Sequence, residues 1–104
     1  MKYSVIDISS SSISLIIAEA DERKAEIIFK DRASISLLHY LDGKKLTERG
    51  TEKLVEALKV MRDECEKFGV RHCYLISTAA LRVIENCDEV SKIVEEKTGL
   101  PVNF

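Results

Sequence analysis

Four consecutive serines occupy positions 9–12, and an acidic residue, Asp7, lies two residues before them. Apolar runs rich in β-branched residues flank this segment at positions 3–8 and 13–18. Two strands joined by a tight, hydroxyl-rich turn beside a carboxylate could hold a phosphate group and its metal ion. A buried hairpin with a polar tip explains the same residues, so this segment alone leaves both interpretations open.

A second group of polar residues, Thr78, Arg82 and Asn86, follows an apolar run at positions 73–76. Each has a structural explanation: Thr78 as the residue that enters a helix, Arg82 as a surface arginine, and Asn86 as an N-cap. Glu89, three residues after Asn86, completes the pattern of a capping box. We therefore predict that Asn86 caps a helix, while Arg82 is open to a functional role.

The other candidate metal ligands are scattered. His39 and His72 are isolated, and His72 and Cys73 would point to opposite faces of a strand, which argues against shared metal ligation. The three cysteines form no CxxC pair and are odd in number. This pattern is typical of reduced thiols in a cytoplasmic protein.

Periodicity predicts the elements that would position these residues. Strands are expected at positions 3–8, 13–18 and 25–29, and the strict alternation at 33–37 is typical of a strand near a sheet edge. Thr47 is the expected N-cap of a long helix whose apolar stripe includes positions 54, 58, 61, 65 and 68, and Gly69 ends that helix.

The second half of the chain continues this arrangement. Positions 73–76 are apolar throughout, as in a parallel strand that helices cover on both faces. A second helix carries Val90, Ile93 and Val94 and ends at Gly99, and a last strand follows at 101–104. The order β-β-β-α-β-α-β on a five-stranded mixed sheet is the layout of a ribonuclease-H-like lobe. We therefore predict a single α/β domain over residues 1–104.

Composition excludes several classes of protein. The chain has 104 residues and a formal net charge of −2, without a basic surplus that would hold nucleic acid. Its apolar runs are shorter than the roughly 20 residues needed to cross a bilayer. The first residues lead directly into a strand, which differs from a signal peptide. We expect a cytoplasmic domain with neither nucleic-acid nor membrane partners.

Three segments resemble one family. Residues 5–15 resemble the opening motif I-D-I-G-S-N-S-x-R-L of exopolyphosphatases and guanosine pentaphosphate phosphohydrolases. Residues 43–47 resemble the family's G-R-L-S, and residues 77–82 with Asn86 resemble its A-T-S-A-x-R-x-A-x-N. The order and spacing of the three segments match over residues 3–104. The family has the actin-like, ribonuclease-H-like fold, so the resemblance implies the same architecture as the periodicity.

The resemblance implies hydrolysis of terminal phosphoanhydride bonds in polyphosphate or guanosine pentaphosphate, with magnesium as cofactor. Asp7 would position the metal ion, usually through water. The phosphate-binding residues implied by the resemblance are Ser10, Ser11, Ser12, Thr78 and Arg82. The last two would reach the phosphates from the end of a strand, where open α/β sheets bind ligands.

Several departures from the family motif lie in the phosphate loop itself. Ser9 replaces a glycine, Ser11 an asparagine and Ser14 an arginine. If the glycine serves a positive φ, Ser9 would cost about 1–2 kcal/mol. The loss of one charge-assisted phosphate contact at position 14 would cost about 1.5–3 kcal/mol.

The family's S-G-x-E-E-A segment, which supplies the catalytic glutamate, is not among these 104 residues, and neither is the second lobe. We therefore predict the first part of an N-terminal lobe that has no catalytic residues and is inactive by itself. Three roles stay open: a lobe that a second lobe completes, a non-catalytic binder of phosphate or polyphosphate, and an interaction module that forms a homodimer.

Overall fold

The computed structural model describes residues 1–77 and 83–103. Three strands come first, β1 (Lys2–Ile8), β2 (Ile13–Ala20) and β3 (Ala25–Ala33). A two-stranded hairpin, β4 (Leu41–Asp42) and β5 (Lys45–Leu46), precedes the helix α1 (Glu48–Phe68). The chain continues through β6 (His72–Ser77), the helix α2 (Cys87–Thr98) and β7 (Val102–Asn103).

The main sheet has five strands in the order β3-β2-β1-β6-β7. β2 is antiparallel to both β1 and β3, whereas β6 is parallel to both β1 and β7. This mixed sheet confirms the predicted α/β, ribonuclease-H-like architecture. Because parallel strands require a crossover connection, the two helices lie in the β-to-β connections of the second half.

The core lies between one face of the sheet and the apolar stripe of α1. The fully buried side chains on the sheet include Ile6, Ile8, Leu15, Ile17 and Leu75, and those on α1 include Leu54, Leu58 and Met61. Val90 and Val94 bury α2 against the same core. On the opposite face, Val5 is 39% exposed and Tyr74 is 49% exposed. Neither α1 nor α2 covers this face of β6. The prediction that helices cover both faces of this strand is therefore wrong for the described part of the chain.

Local capping chemistry sets the ends of α1 as predicted. Thr47 precedes the helix, and its side-chain oxygen accepts a hydrogen bond from the Gly50 N–H (3.1 Å). Gly69 follows the helix with a left-handed φ of 70°, and its N–H donates to the last carbonyls of α1. A non-glycine residue would be strained in this conformation.

The strand predicted at positions 33–37 does not form. β3 runs to Ala33, the chain then leaves the sheet, and residues Leu37–Tyr40 form a turn of 3₁₀ helix. The Leu37 N–H donates to the Ser10 carbonyl (3.1 Å) instead of to a neighbouring strand, and the Leu37 side chain is buried. The alternation reflects an extended connection anchored by one apolar side chain, which periodicity does not distinguish from a strand.

Candidate functional site

The carboxyl ends of β1 and β6 meet at one edge of the sheet. In the parallel register, Asp7 lies beside Ile76 and Ile8 lies beside Ser77. The serine turn at 9–12 follows β1 at this edge, so it lies near the end of β6. This is the position at which open α/β sheets bind ligands.

Asp7 carries a buried oxygen that lacks a partner. Its side chain is half-buried, and Oδ1 is shielded from solvent without a hydrogen bond to any described residue. Buried polar atoms in proteins are nearly always hydrogen-bonded or bound to an ion. The atom is therefore available to a cation or a donor that the described residues do not supply.

The serine turn is closed by its own hydroxyls. The backbone N–H and the hydroxyl of Ser9 both donate to the Ser12 carbonyl, each at 2.9 Å. The Ser12 N–H in turn donates to Ser9 Oγ at 3.3 Å. Positive φ angles among the described residues occur only at glycines. Ser9 therefore holds the turn without the backbone strain expected from the replaced glycine, and its hydroxyl contributes the closing hydrogen bonds.

The predicted phosphate-binding serines occupy two different environments. Ser10 and Ser11 are exposed at the tip of the turn. Ser12 is buried, and its hydroxyl shares a hydrogen bond with Ser9 Oγ at 3.2 Å. Thr78 and Arg82, the other two predicted phosphate ligands, lie outside the described residues. The turn thus offers two free hydroxyls at its tip and one hydroxyl engaged in its structure.

Arg32 lies in the same cross-strand row as Asp7, a relationship that the sequence analysis missed. Asp7 on β1 pairs with Ser14 on β2, and Ser14 pairs with Arg32 on β3. Directly paired residues point to the same face, and two strand spacings put the Arg32 and Asp7 backbones roughly 10 Å apart. Arg32 is exposed. Only the short side chain of Ser14 separates this guanidinium-bearing position from the carboxylate.

Asn86 does not cap α2, which corrects the prediction. Its side chain makes no capping hydrogen bond. Instead, Oδ1 accepts from the Leu46 N–H (2.9 Å), and Nδ2 donates to the Leu46 carbonyl (3.0 Å). A side-chain amide carries one acceptor and two donors, so it can pair with both backbone groups of one residue. Asn86 therefore joins the segment before α2 to β5, the strand that leads into α1.

A thiol pair lies away from the serine turn, near the starts of β1 and β6. Ser4 pairs with Cys73 in the register, and Cys65 Sγ donates to Ser4 Oγ (3.3 Å). The neighbouring Cys65 and Ser4 groups lower the pKa of Cys73 to about 6, and burial opposes this effect. Interaction with Cys73 and burial raise the pKa of Cys65.

The histidines play no shared role. His72 stacks on Tyr3 with ring centroids 5.5 Å apart. The part of the chain that is described contains no cluster of three or more His, Cys, Asp or Glu residues able to hold a metal ion. A metal ion at the serine turn would therefore depend on Asp7 together with water and phosphate oxygens.

The fold and the polar edge of its sheet define a ribonuclease-H-like, actin-like lobe whose first hairpin carries the serine turn. A sequence model of the Ppx/GppA phosphatase family matches residues 16–104, and the chain belongs to this family. The match begins two residues after Ser14, so it leaves out the serine turn.

Solved structures agree with this assignment. A Ppx/GppA phosphatase of Aquifex aeolicus, a type II variant, is 29% identical and superposes with a TM-score of 0.91 over 98% of this chain. An exopolyphosphatase of Cytophaga hutchinsonii is 17% identical with a TM-score of 0.91 over 98% of this chain, which shows the shared fold. This chain covers 34% and 33% of those two chains, respectively.

An uncharacterized protein of Streptomyces coelicolor is 25% identical over 103 residues, which are 98% of this chain and 31% of that protein. The chain therefore spans about a third of the length of the relatives that it matches. None of the helices in the described ranges is long and apolar enough to cross a membrane.

Proposed function

We propose that this chain is a phosphate-binding N-terminal lobe of the Ppx/GppA type, which holds phosphoanhydride substrates such as polyphosphate or guanosine pentaphosphate without hydrolysing them by itself. The observation that carries the proposal is the buried Asp7 Oδ1 beside the serine turn, to which no described residue hydrogen-bonds. The exposed hydroxyls of Ser10 and Ser11 add donors for phosphate oxygens at the same edge of the sheet.

The residues at the turn fit a magnesium ion of the kind that the family implies. Mg²⁺ keeps several of its waters and is commonly bound through one or two carboxylates together with substrate phosphates. Asp7 would hold the ion through its free oxygen, directly or through water. When bound, the ion would neutralise charge on the phosphates and so favour their binding to a chain of net charge −2.

The proposed lack of hydrolysis rests on what the turn offers. Phosphoryl transfer requires a group that orients the attacking water, in addition to donors and a cation that stabilise charge. The serines supply hydroxyl donors, but the hydroxyls of Ser9 and Ser12 are engaged in hydrogen bonds within the turn. Asp7 has the role of cation ligand. Neither the serines nor Asp7 is then left to orient the attacking water, so the lobe binds its ligand without hydrolysing it.

The test is calorimetric titration of the chain with medium-length polyphosphate, with and without magnesium. We expect binding that requires magnesium and is lost in Asp7→Asn. Asp42→Asn removes an exposed carboxylate of β4 and is the matched control, which should bind like the wild type. Guanosine pentaphosphate in a parallel titration distinguishes the two substrate classes.

Two results would overturn the proposal. An absence of binding by the wild-type chain to either compound would show that only the fold of the family is kept. Release of inorganic phosphate from bound polyphosphate, abolished by Asp7→Asn, would show that the lobe hydrolyses its ligand alone.

A further inference from the structure

The three cysteines of the chain are free thiols, and two of them, Cys65 and Cys73, meet at Ser4. Cys65 lies near the end of α1, and its Sγ is 3.3 Å from Ser4 Oγ on β1. Ser4 is the direct neighbour of Cys73 in the parallel pairing of β1 with β6. Because residues that are neighbours across two strands point to the same face of a sheet, both thiols lie on the face that α1 covers.

The turn that joins α1 to β6 holds the two thiols in this arrangement. The Val70 N–H donates to the Cys65 carbonyl (3.0 Å), which reverses the chain directly after the helix. The Arg71 N–H donates to the Lys2 carbonyl (3.3 Å), which joins the start of β6 to the start of β1. The backbone between Cys65 and Cys73 is thus fixed by hydrogen bonds, so a bond between their sulfurs would close a short loop that the fold already forms.

The two thiols differ in their access to solvent. Cys65 is only 4% exposed, whereas Cys73 is only partly buried. Among the described residues, β7 pairs with β6 only at Leu75 and Ile76, so no further strand covers the edge of β6 at Cys73. A small polar reagent can therefore reach Cys73, while Cys65 is shielded from it.

The two thiols also differ in acidity. The neighbouring Cys65 lowers the pKa of Cys73 to about 6, with a smaller contribution from Ser4 and with burial opposing it. Interaction with Cys73 and burial raise the pKa of Cys65. Peroxides oxidise the thiolate, and oxidation-sensitive cysteines combine thiolate character and exposure with a second cysteine close by. Cys73 has the first two properties, and Cys65 is the second cysteine.

We propose that Cys65 and Cys73 form an oxidation site, at which hydrogen peroxide oxidises Cys73 and Cys65 converts the product into a disulfide. The Cys73 sulfur attacks one peroxide oxygen, the O–O bond breaks, and hydroxide leaves and is protonated to water. Cys73 is then a sulfenic acid, oxidised by the two electrons that reduce the peroxide. The Cys65 sulfur attacks the Cys73 sulfur, the S–O bond breaks, and the Cys65 proton leaves with the hydroxide as a second water.

The oxidation site is separate from the proposed phosphate site. Ser4 and Asp7 are three residues apart on β1, which places their backbones roughly 10 Å from each other. An offset of three residues also turns their side chains to opposite faces of the sheet. The disulfide would join the end of α1 to the start of β6 without contacting Asp7, so this inference does not rest on the proposed function.

Peptide mass spectrometry of the purified chain after mild treatment with hydrogen peroxide tests the inference. Trypsin releases each cysteine on its own peptide, and these peptides span residues 63–67, 72–82 and 83–92. Every possible disulfide therefore gives a different linked pair. We expect the link between Cys65 and Cys73 to exceed either link to Cys87 by about tenfold or more, and dithiothreitol to remove it. In urea this preference should shrink to the few-fold bias set by loop length.

Variants assign a role to each thiol. Cys65→Ala cannot form the disulfide, so dimedone should trap a sulfenic acid at Cys73, more slowly than the wild type forms its disulfide. Cys73→Ala should leave Cys65 unoxidised, because peroxide then has no exposed thiolate of the pair to attack. Cys87→Ala is the matched control and should form the link between Cys65 and Cys73 like the wild type. Circular dichroism confirms that each variant is folded.

The wild-type chain alone can reject the inference. A Cys73 that stays reduced under conditions that oxidise Cys87 would show that the pair only fills the core. Links to Cys87 as frequent as the link between Cys65 and Cys73 would show that the fold does not select the pair. Trapping by dimedone at Cys65 instead of Cys73 would reject the order of the steps. Polyphosphate binding by Cys73→Ala should equal that of the wild type, so failure here and failure of the proposed function are distinguishable.

Discussion

Asn86 pairs with both backbone groups of Leu46, 40 positions earlier in the chain. The two hydrogen bonds join the strand that leads into α1 to the segment that leads into α2. A backbone bond from the Glu85 N–H to the Lys44 carbonyl (2.7 Å) reinforces the same junction. The contact therefore aligns the starts of α1 and α2.

Asn86→Asp distinguishes this clamp from an N-cap. Asp and Asn are about equally good N-caps, so a cap would tolerate the substitution. In the clamp, the carboxylate loses the donor to the Leu46 carbonyl and faces that oxygen. We expect Asn86→Asp to lower the free energy of unfolding by about 1–3 kcal/mol in urea denaturation. Asp88→Asn, an exposed first-turn control, should change it by only a few tenths. Equal effects of the two would reject the clamp.

Arg32 is predicted to contribute to phosphate binding from the row that it shares with Asp7 and Ser14. Arg32→Ala should weaken the affinity for polyphosphate by about 10- to 150-fold, because a charge-assisted hydrogen bond contributes roughly 1.5–3 kcal/mol. Arg23→Ala, at the far end of the hairpin, serves as the control for general charge. Calorimetric titration measures both. Affinities that fall equally in the two variants would indicate only non-specific attraction.

Gly50 is predicted to be intolerant of alanine although it lies in a helix. A Cβ at this position would approach the Tyr40 Cβ to 2.6 Å and the Leu46 Cδ1 to 2.7 Å. Replacing an exposed helical glycine by alanine usually stabilises the helix by about 1 kcal/mol. Here overpacking should dominate, and Gly50→Ala should lower the free energy of unfolding by about 1–3 kcal/mol. A stabilised variant in thermal or urea denaturation would show that Tyr40 and Leu46 move aside easily.

Glu64 is predicted to make the stability of the domain depend on pH. Burial raises the pKa of Glu64 to about 7, together with a hydrogen bond that its protonated carboxyl donates to Asp31 and charge repulsion from the Asp31 carboxylate, and Lys67 partly opposes this. The folded-state pKa of Glu64 exceeds its unfolded-state value. The stability that protonated Glu64 contributes is therefore fully present below the unfolded value of 4.5 and is lost as pH rises through 7. Glu64→Gln, which mimics the protonated form, should therefore gain stability relative to the wild type between about pH 5 and about pH 8. If the difference in unfolding free energy between Glu64→Gln and the wild type stays constant over this pH range, the raised pKa of Glu64 is contradicted.

Cys73 is predicted to be reactive because of its neighbour. The neighbouring Cys65 thiol favours the Cys73 thiolate and lowers the pKa of Cys73 to about 6. Cys65→Ala removes this neighbour, so the pKa of Cys73 should rise and its alkylation near neutral pH should slow. Mass spectrometry of iodoacetamide-treated protein measures the rate as a function of pH. Cys87→Ala, which leaves the pair intact, should not alter the Cys73 profile.

Much of the fold could be predicted from local sequence because its signals are short-range. The N-cap Thr47 bonds to a residue three positions away, and Gly69 ends α1 through its own φ angle. Runs of β-branched apolar residues likewise placed β1 and β2, and helical periodicity placed the buried stripe of α1. The alternation at 33–37 misled because a pattern of apolar residues records which side chains are buried, without recording where the backbone hydrogen bonds go.

For the functional residues too, the sequence predicted only those contacts that join residues close together in the chain. Asp7 and the serine turn are adjacent in sequence, so their proximity follows from the hairpin itself. The partner of Asn86, the row that joins Arg32 to Asp7, and the contact of Gly50 with Tyr40 join residues at least ten positions apart. Strand register and helix packing decide these contacts. The sequence by itself determined which elements form and where the polar turn lies, whereas tertiary packing decided which residues distant in sequence come into contact.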